Sequence, residues 1–322
     1  MTDFTEERIN TGKLNINTVS TGNGPLVLFV HGWPELSHSW RHQMKAVAAA
    51  GFRAMAVDVR GYGASDKPWE IEAYSLKELA SDIAAVIEKV APGEKAVIGG
   101  HDWGAPIVYT TALNHPHLIR AVIGMSVPHT APAPALPTEL WKMVYKDKFF
   151  YMTYFQQPGV AELEFGQNNE RSLRMIYNSI AGDREKNTWL ADRPADSAFL
   201  TGMKDTGKRP SFMSEEDFQA YVRSFSVGGW RGPINRYRNL DRDWHNANEK
   251  EDHRITCPAL FIGGSRDPVR HFVPGHDAFE RADALLPDCR GKHIIDGAGH
   301  WVQQEAPEEV NAAVLEFLAT LD

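Results

Sequence analysis

The chain has 322 residues, 43% hydrophobic and 24% charged, a composition expected of a soluble globular protein of enzyme size. Its 34 Lys and Arg stand against 42 Asp and Glu, giving a net charge of −8 with no basic block, so neither nucleic acid nor an anionic membrane is an expected partner. The opening "MTDFTEERINTGKLNINT" lacks a charged-then-apolar leader pattern, and no apolar run reaches the roughly 18 residues of a membrane span. Cys257 and Cys289 are too few for a disulfide framework or a zinc site; ordinary buried or half-buried thiols and a cytoplasmic location are expected.

In chain order, "RINTGKLNINTVSTGNG" alternates polar and apolar residues around a Thr-Gly turn and predicts an antiparallel hairpin. "PLVLFVHG", "FRAMAVDVRG", "KAVIGGHD" and "IRAVIGMSVP" are continuous apolar runs, as strands buried on both faces should be. Helical patterns lie between them in "SWRHQMKAVAAAG", "SLKELASDIAAVIEKV" and "APIVYTTALNHP". Strand alternating with helix predicts an α/β fold, a mostly parallel, doubly wound sheet. At "SVPHTAPAPALP" four prolines break the rhythm, and from about Pro132 the chain turns aromatic and charged, with helical spacing and no clear buried strand. Strand patterns resume in "CPALFIGGSRD" and "KHIIDGAGH". A last helix, "EEVNAAVLEFLATL", aligns Val310, Val314, Phe317, Leu318 and Leu321. The expected organisation is a core over 1–131 and 251–322, with an inserted helical cap over 132–250.

Several tempting motifs carry little. "DVRGYGASD" lacks the third glycine and the helix of a dinucleotide fingerprint, so a tight structural turn is expected there. No Walker A sequence occurs, and none of the 13 histidines forms an HExxH pair. The cluster "DWHNANEKEDH" has metal-capable residues but is expected to be a solvated loop. Neither a metal nor a cofactor is expected.

Chemistry concentrates at three predicted strand ends. Asp102 follows "KAVIGGH", Asp267 follows "PALFIGGSR", and His300 follows "HIIDGAG". Catalytic groups in such sheets gather at the carboxyl ends of strands. The order nucleophile, acid, histidine is that of the α/β-hydrolase fold, and Gly100 to Gly104 has the frame of its nucleophile elbow. "VHGWPE" offers an oxyanion turn, with the backbone N–H of Trp33 and that of Trp103 as the expected donors. A cis Trp33–Pro34 peptide is compatible with that turn.

An elbow that carries aspartate instead of serine points to a particular reaction. A carboxylate, with an ordinary pKa of about 4, is ionised at neutral pH and attacks without a base. Attack on an ester or amide would give a reactive mixed anhydride. Attack at an sp³ carbon with a leaving group gives an alkyl ester, which His300, oriented by Asp267, can hydrolyse by activating water. A halide leaves as a stable anion, whereas an epoxide oxygen leaves as an alkoxide and needs an acid. Tyrosine can supply one, and "FFYMTYFQQPGVAELE" and "RGPINRYRNL" offer candidates.

Over nearly its whole length the sequence resembles a soluble epoxide hydrolase of the α/β-hydrolase superfamily, on "HGWPE", "DVRGYGASD", "GHDWGA", "YFQQPGVAE", "RGPINRYRN" and "GAGHW". The two cap motifs are specific; the core motifs occur also among haloalkane dehalogenases, the alternative reading. The resemblance implies Asp102, Asp267 and His300 as nucleophile, acid and histidine. It implies Tyr154 and Tyr237 as the hydroxyls that protonate the epoxide oxygen. Sequence physics alone does not select Tyr154, because Tyr151 lies one helical turn earlier and could share its face. Gln157 and Arg236 depart from the common pattern, where glutamate and an aromatic are frequent. The implied partners are water and a small-molecule epoxide with an apolar or aromatic substituent, for a detoxifying or metabolic enzyme that is monomeric or homodimeric.

Overall fold

The computed structural model describes residues 4–185, 189 and 192–321. In chain order the core begins with β1 (Thr5–Asn10), β2 (Asn15–Thr21), β3 (Leu26–Val30), α1 (Arg41–Ala49), β4 (Arg53–Val57), α2 (Leu76–Val90), β5 (Ala96–His101), α3 (Gly104–Asn114) and β6 (Ile119–Met125). The insertion carries α4 (Pro137–Val144), α5 (Tyr151–Tyr154), α6 (Val160–Gly166), α7 (Asn169–Ile180), α8 (Glu215–Gly228), α9 (Arg231–Asn235) and α10 (Leu240–Asn248). The core closes with β7 (Ala259–Gly264), β8 (Cys289–Ile295), α11 (Val302–Glu305) and α12 (Pro307–Leu318).

One eight-stranded sheet runs β1-β2-β4-β3-β5-β6-β7-β8. The hairpin pairs antiparallel and joins β4 antiparallel; every later pairing is parallel. Alternation of side chains divides the central strands between two faces. Leu28, Val30, Met55, Val57 and Ile98 pack in one apolar cluster with Ile83, Ile87 and Ile107 of α2 and α3. Val27, Phe29, Ala54, Ala56 and Val97 pack in the other with Met44 of α1 and Val310, Val314 and Phe317 of α12. This two-sided cover is why β3 to β7 read as unbroken apolar runs. Edge strand β8 departs from that reading: it starts at Cys289 and most of its residues are exposed or half-exposed. Leu321 lies beyond the end of α12, partly buried against the same cluster.

Every named element between β6 and β7 is helical, but residues 181–214, among those described, carry no helix or strand. Buried Arg193 helps hold that stretch by donating to the carbonyls of Ala198 and Phe199. The insertion's aromatic residues close over Trp33 of the core. Phe155 lies 5.4 Å from it, Tyr237 5.9 Å and Phe199 6.0 Å between ring centroids. The acidic stretch near 243–253 is not wholly solvated: Asp243 is buried and accepts the Leu76 N–H at 2.7 Å.

Candidate active site

β5 delivers Asp102 on a sharp elbow. Asp102 adopts φ 50°, a left-handed conformation that costs a non-glycine residue about 1–3 kcal/mol. Flanking glycines permit the turn: a Cβ on Gly100 would lie 2.1 Å from the Gly104 carbonyl, and one on Gly104 would lie 2.0 Å from that of Val30. The elbow is fixed by the Asp102 N–H donating to Met125 and by its carbonyl accepting from Ala105.

The turn after β3, with a cis Trp33–Pro34 peptide, brings the Trp33 N–H to 2.7 Å from Asp102 Oδ1. The other carboxylate oxygen, Oδ2, lies 3.4 Å from His300 Nε2. The opposite ring nitrogen, Nδ1, faces both oxygens of buried Asp267, at 3.0 and 3.1 Å. Asp267 itself caps the turn after β7, accepting from the Val269 N–H at 2.9 Å. The Trp103 N–H, the other expected oxyanion donor, makes no hydrogen bond to Asp102 among the described residues, though Trp103 follows directly after it.

Electrostatics follow from this burial. Desolvation pushes the His300 pKa down, but the charge of Asp267 and the hydrogen bond and charge of Asp102 outweigh it and hold it at about 10. Burial opposes ionisation of Asp267, yet His300 and the Val269 N–H keep it below its ordinary value. Asp102, His300, Trp33, Tyr151 and Tyr237 line one cavity, completed by Ile180, Trp189, Pro268, Val269 and Phe272. The rings of Tyr151 and Tyr237 meet edge-on, centroids 5.7 Å apart. Burial first, and then the nearby Asp102 charge among others, raises both phenols well above their ordinary pKa, so both stay protonated donors.

The alpha/beta hydrolase fold family matches residues 25–307. Epoxide hydrolase A of Mycobacterium tuberculosis is 37% identical over 322 residues, spanning 99% of this chain and 98% of that protein. A solved epoxide hydrolase from an endophytic Streptomyces superposes with a TM-score of 0.93 at 37% identity, covering 99% of this chain and 96% of the other. Epoxide hydrolase A from Mycobacterium thermoresistibile gives 0.91 at 37% identity, covering 99% of both chains. This chain belongs to the epoxide hydrolases of that fold.

Within this epoxide hydrolase the structure corrects one expected residue. Tyr154 does not line the cavity; its hydroxyl donates to Glu164 Oε2 at 2.7 Å. Residues three apart on a helix differ by about 60° in direction, enough on one-turn α5 to send Tyr151 inward and Tyr154 toward α6. The Glu164 carboxylate also accepts the N–H groups of Phe199 and Leu200 and does not line the cavity.

The two cap motifs prove to be one scaffold around Tyr237. Gln156 donates to the Tyr237 carbonyl at 2.9 Å. Arg238 donates to the Phe155 carbonyl at 3.0 Å and pairs with Glu162 at 2.6 Å. Gln157 is exposed and contributes a backbone carbonyl to Arg238, so its side-chain identity does not reach the cavity. Arg236 is buried with its guanidinium 4.6 Å from the Trp103 ring centroid, bonded to Asp243 and to the Tyr74 carbonyl. It does not line the cavity that holds Asp102, though its charge interacts with that of the neighbouring cavity residue Tyr237.

Two further groups beneath the elbow escaped the sequence reading. His101 directs Nδ1 at Glu35 Oε2, 2.6 Å away, and Nε2 at the His300 carbonyl, 2.7 Å away. Glu35 meets it as a fully buried carboxylate. Burial resists that carboxylate's charge, but His101 holds its pKa at about 2. Gln303 and Gln304 also donate to Glu35, at 2.9 and 3.0 Å. The available signal was "HGWPE" itself, whose glutamate follows the oxyanion turn.

Proposed function

We propose that this enzyme opens epoxides to vicinal diols through an ester on Asp102. The observation that carries the reading is the meeting of Asp102, held between Trp33 N–H and His300, with the buried hydroxyl-bearing rings of Tyr151 and Tyr237 in one cavity. In the first step Asp102 Oδ2 attacks an epoxide carbon, the ring C–O bond breaks, and the departing oxygen takes a proton from Tyr151 or Tyr237. Oδ1 remains against the Trp33 N–H.

Ester formation removes the negative charge of Asp102, which supported the protonated state of His300. Without it the imidazole gives up its proton, which returns to the tyrosinate left by ring opening, and His300 becomes a base still oriented by Asp267. Water gives a proton to Nε2 and adds to the Asp102 carboxyl carbon. The oxyanion forms on Oδ1, where Trp33 and, in the same role, Trp103 donate. Collapse expels the diol oxygen, which takes the proton of the newly formed Asp102 carboxylic acid; Asp102 is regenerated as a carboxylate with one oxygen from water, and His300 is again protonated. The helical insertion, 132–250, supplies both tyrosines with Ile180 and Trp189, and the core adds Trp33, Pro268, Val269 and Phe272; together these walls select the epoxide's substituent. Unpaired Cys257 and Cys289 fit a proposed cytoplasmic location; no helix among the described residues is long and apolar enough to cross a membrane.

His300→Gln tests this reading. Incubated with a small aryl epoxide, the variant is expected to gain the whole epoxide mass on the peptide containing Asp102. If only a primary haloalkane added to that peptide, the protein would be a dehalogenase and the tyrosine roles would fall.

A further inference from the structure

The loop that delivers His300 is held by a carboxylate that no step above uses. Glu305, the last residue of α11, accepts the Trp301 N–H on Oε1 at 2.9 Å and the Gly299 N–H on Oε2 at 3.0 Å. The peptide N–H groups on either side of His300 therefore converge on one side chain. A helix cap would explain those two bonds alone. It does not explain the third, the Gly182 N–H at 2.6 Å, which comes from 123 residues away.

Gly182 and Gly299 pack backbone to backbone. A Cβ on Gly299 would lie 2.3 Å from Gly182 N, and one on Gly182 would lie 2.7 Å from Gly299 N. The His300 N–H donates to the Ile180 carbonyl at 3.0 Å. Its own carbonyl accepts from His101 Nε2 and, at 3.0 Å, from Ser126 Oγ. The segment leaving α7, whose Ile180 forms cavity wall, is thus strapped to the catalytic loop through Glu305. Burial raises the Glu305 carboxyl pKa, opposed by the three backbone donors.

We propose that Glu305 is a positioning residue for His300 that acts on hydrolysis of the Asp102 ester and not on ring opening. The inference rests on the proposed ester mechanism. Asp267 fixes only one edge of the imidazole, whereas proton transfer from water requires the opposite nitrogen at a set place over the ester. Misplacing a catalytic group by about 1 Å costs roughly a hundredfold. The groups assigned to ring opening, Asp102, Trp33, Tyr151 and Tyr237, make no hydrogen bond to Glu305 among the described residues.

The test is single-turnover kinetics on Glu305→Gln and Glu305→Asp with a small aryl epoxide, following ester on the Asp102 peptide by intact mass. Glutamine puts an amide N–H where a backbone N–H needs an acceptor; aspartate keeps the charge but falls one methylene short. Ester formation should stay within about threefold of the parent, while hydrolysis slows roughly ten- to a hundredfold in the glutamine variant and less in the aspartate variant. Ester accumulates, and kcat and KM fall together. Equal slowing of both steps, or hydrolysis at the parental rate in either folded variant, overturns the proposal. His300→Gln run in parallel separates the two claims: if it traps no ester the mechanism itself falls, and if it does while the Glu305 variants hydrolyse normally, only the role of Glu305 falls.

Discussion

Replacing Tyr151 with phenylalanine removes a hydroxyl from the Asp102 cavity and almost nothing else, since the ring is buried and its edge-on contacts with Tyr237 and Trp189 survive. The hydroxyl is assigned to an oxygen that becomes an alkoxide, so its hydrogen bond strengthens as the ring opens. Loss of a lone donor of that kind costs about 2.7–4 kcal/mol, a hundred- to thousandfold in rate. Here Tyr237 remains, and a bond to a charged group is worth about 1.5–3 kcal/mol, so the expected loss in alkylation rate is roughly ten- to a hundredfold. Tyr154→Phe is the matched control. It deletes the bond to Glu164 at 2.7 Å, a half-buried contact worth about 0.5–1.5 kcal/mol of stability, and leaves the cavity intact. Rapid-quench measurement of ester on Asp102 under single-turnover conditions separates alkylation from hydrolysis. Tyr151→Phe should slow the first step and Tyr154→Phe should leave it near parental. The reverse order would refute the placement of the acid on Tyr151 and restore the residue that motif matching selected.

The His300 environment predicts a pH signature. With Asp102 charged, His300 is held at about 10; once Asp102 is esterified, part of that support is gone, so the ester hydrolysis rate should rise with pH and level off with a midpoint below 10. A flat profile for the isolated hydrolysis step would contradict the base assignment. By linkage, a histidine pKa raised above its unfolded value near 6.5 adds stability that is full below that pH and is lost as pH climbs through about 10. A second expectation concerns Arg236. Arg236→Met leaves Asp243 buried with its charge unpaired, a change that typically costs about 3–5 kcal/mol. Adding Asp243→Leu should recover much of the loss in urea melts. A single variant as stable as the parent would show that buried Asp243 does not depend on Arg236 for its charge balance.

The sheet and the meeting of Asp102, Asp267 and His300 were legible because their causes are local or periodic. Buried parallel strands produce continuous apolar runs, and a nucleophile elbow requires glycines at fixed spacing around Asp102. Edge strand β8 was harder to bound, since exposure on that edge removes the apolar signal from Cys289 to Lys292. Tyr151 and Tyr154 could not be separated by period, because both lie within one turn and both sit next to aromatic partners. What separates them is a tertiary choice: Glu164 on α6 takes one hydroxyl, which leaves the other to the cavity. The motif around Tyr154 is informative for a different reason. Its Gln156 holds the Tyr237 carbonyl, and Phe155 accepts Arg238 through its own carbonyl, so the motif marks the scaffold of the second tyrosine. Glu35, His101 and Glu305 were missed for the opposite reason, since each makes a decisive contact with a partner far away in sequence: His101 with Glu35 and the His300 carbonyl, and Glu305 with Gly182. His300 has its ring set by Asp267 and its backbone set by His101, Ser126 and Ile180. If His300 is the base proposed above, a group that must change protonation within one turnover is carried on a loop whose peptide groups are held on both sides of it.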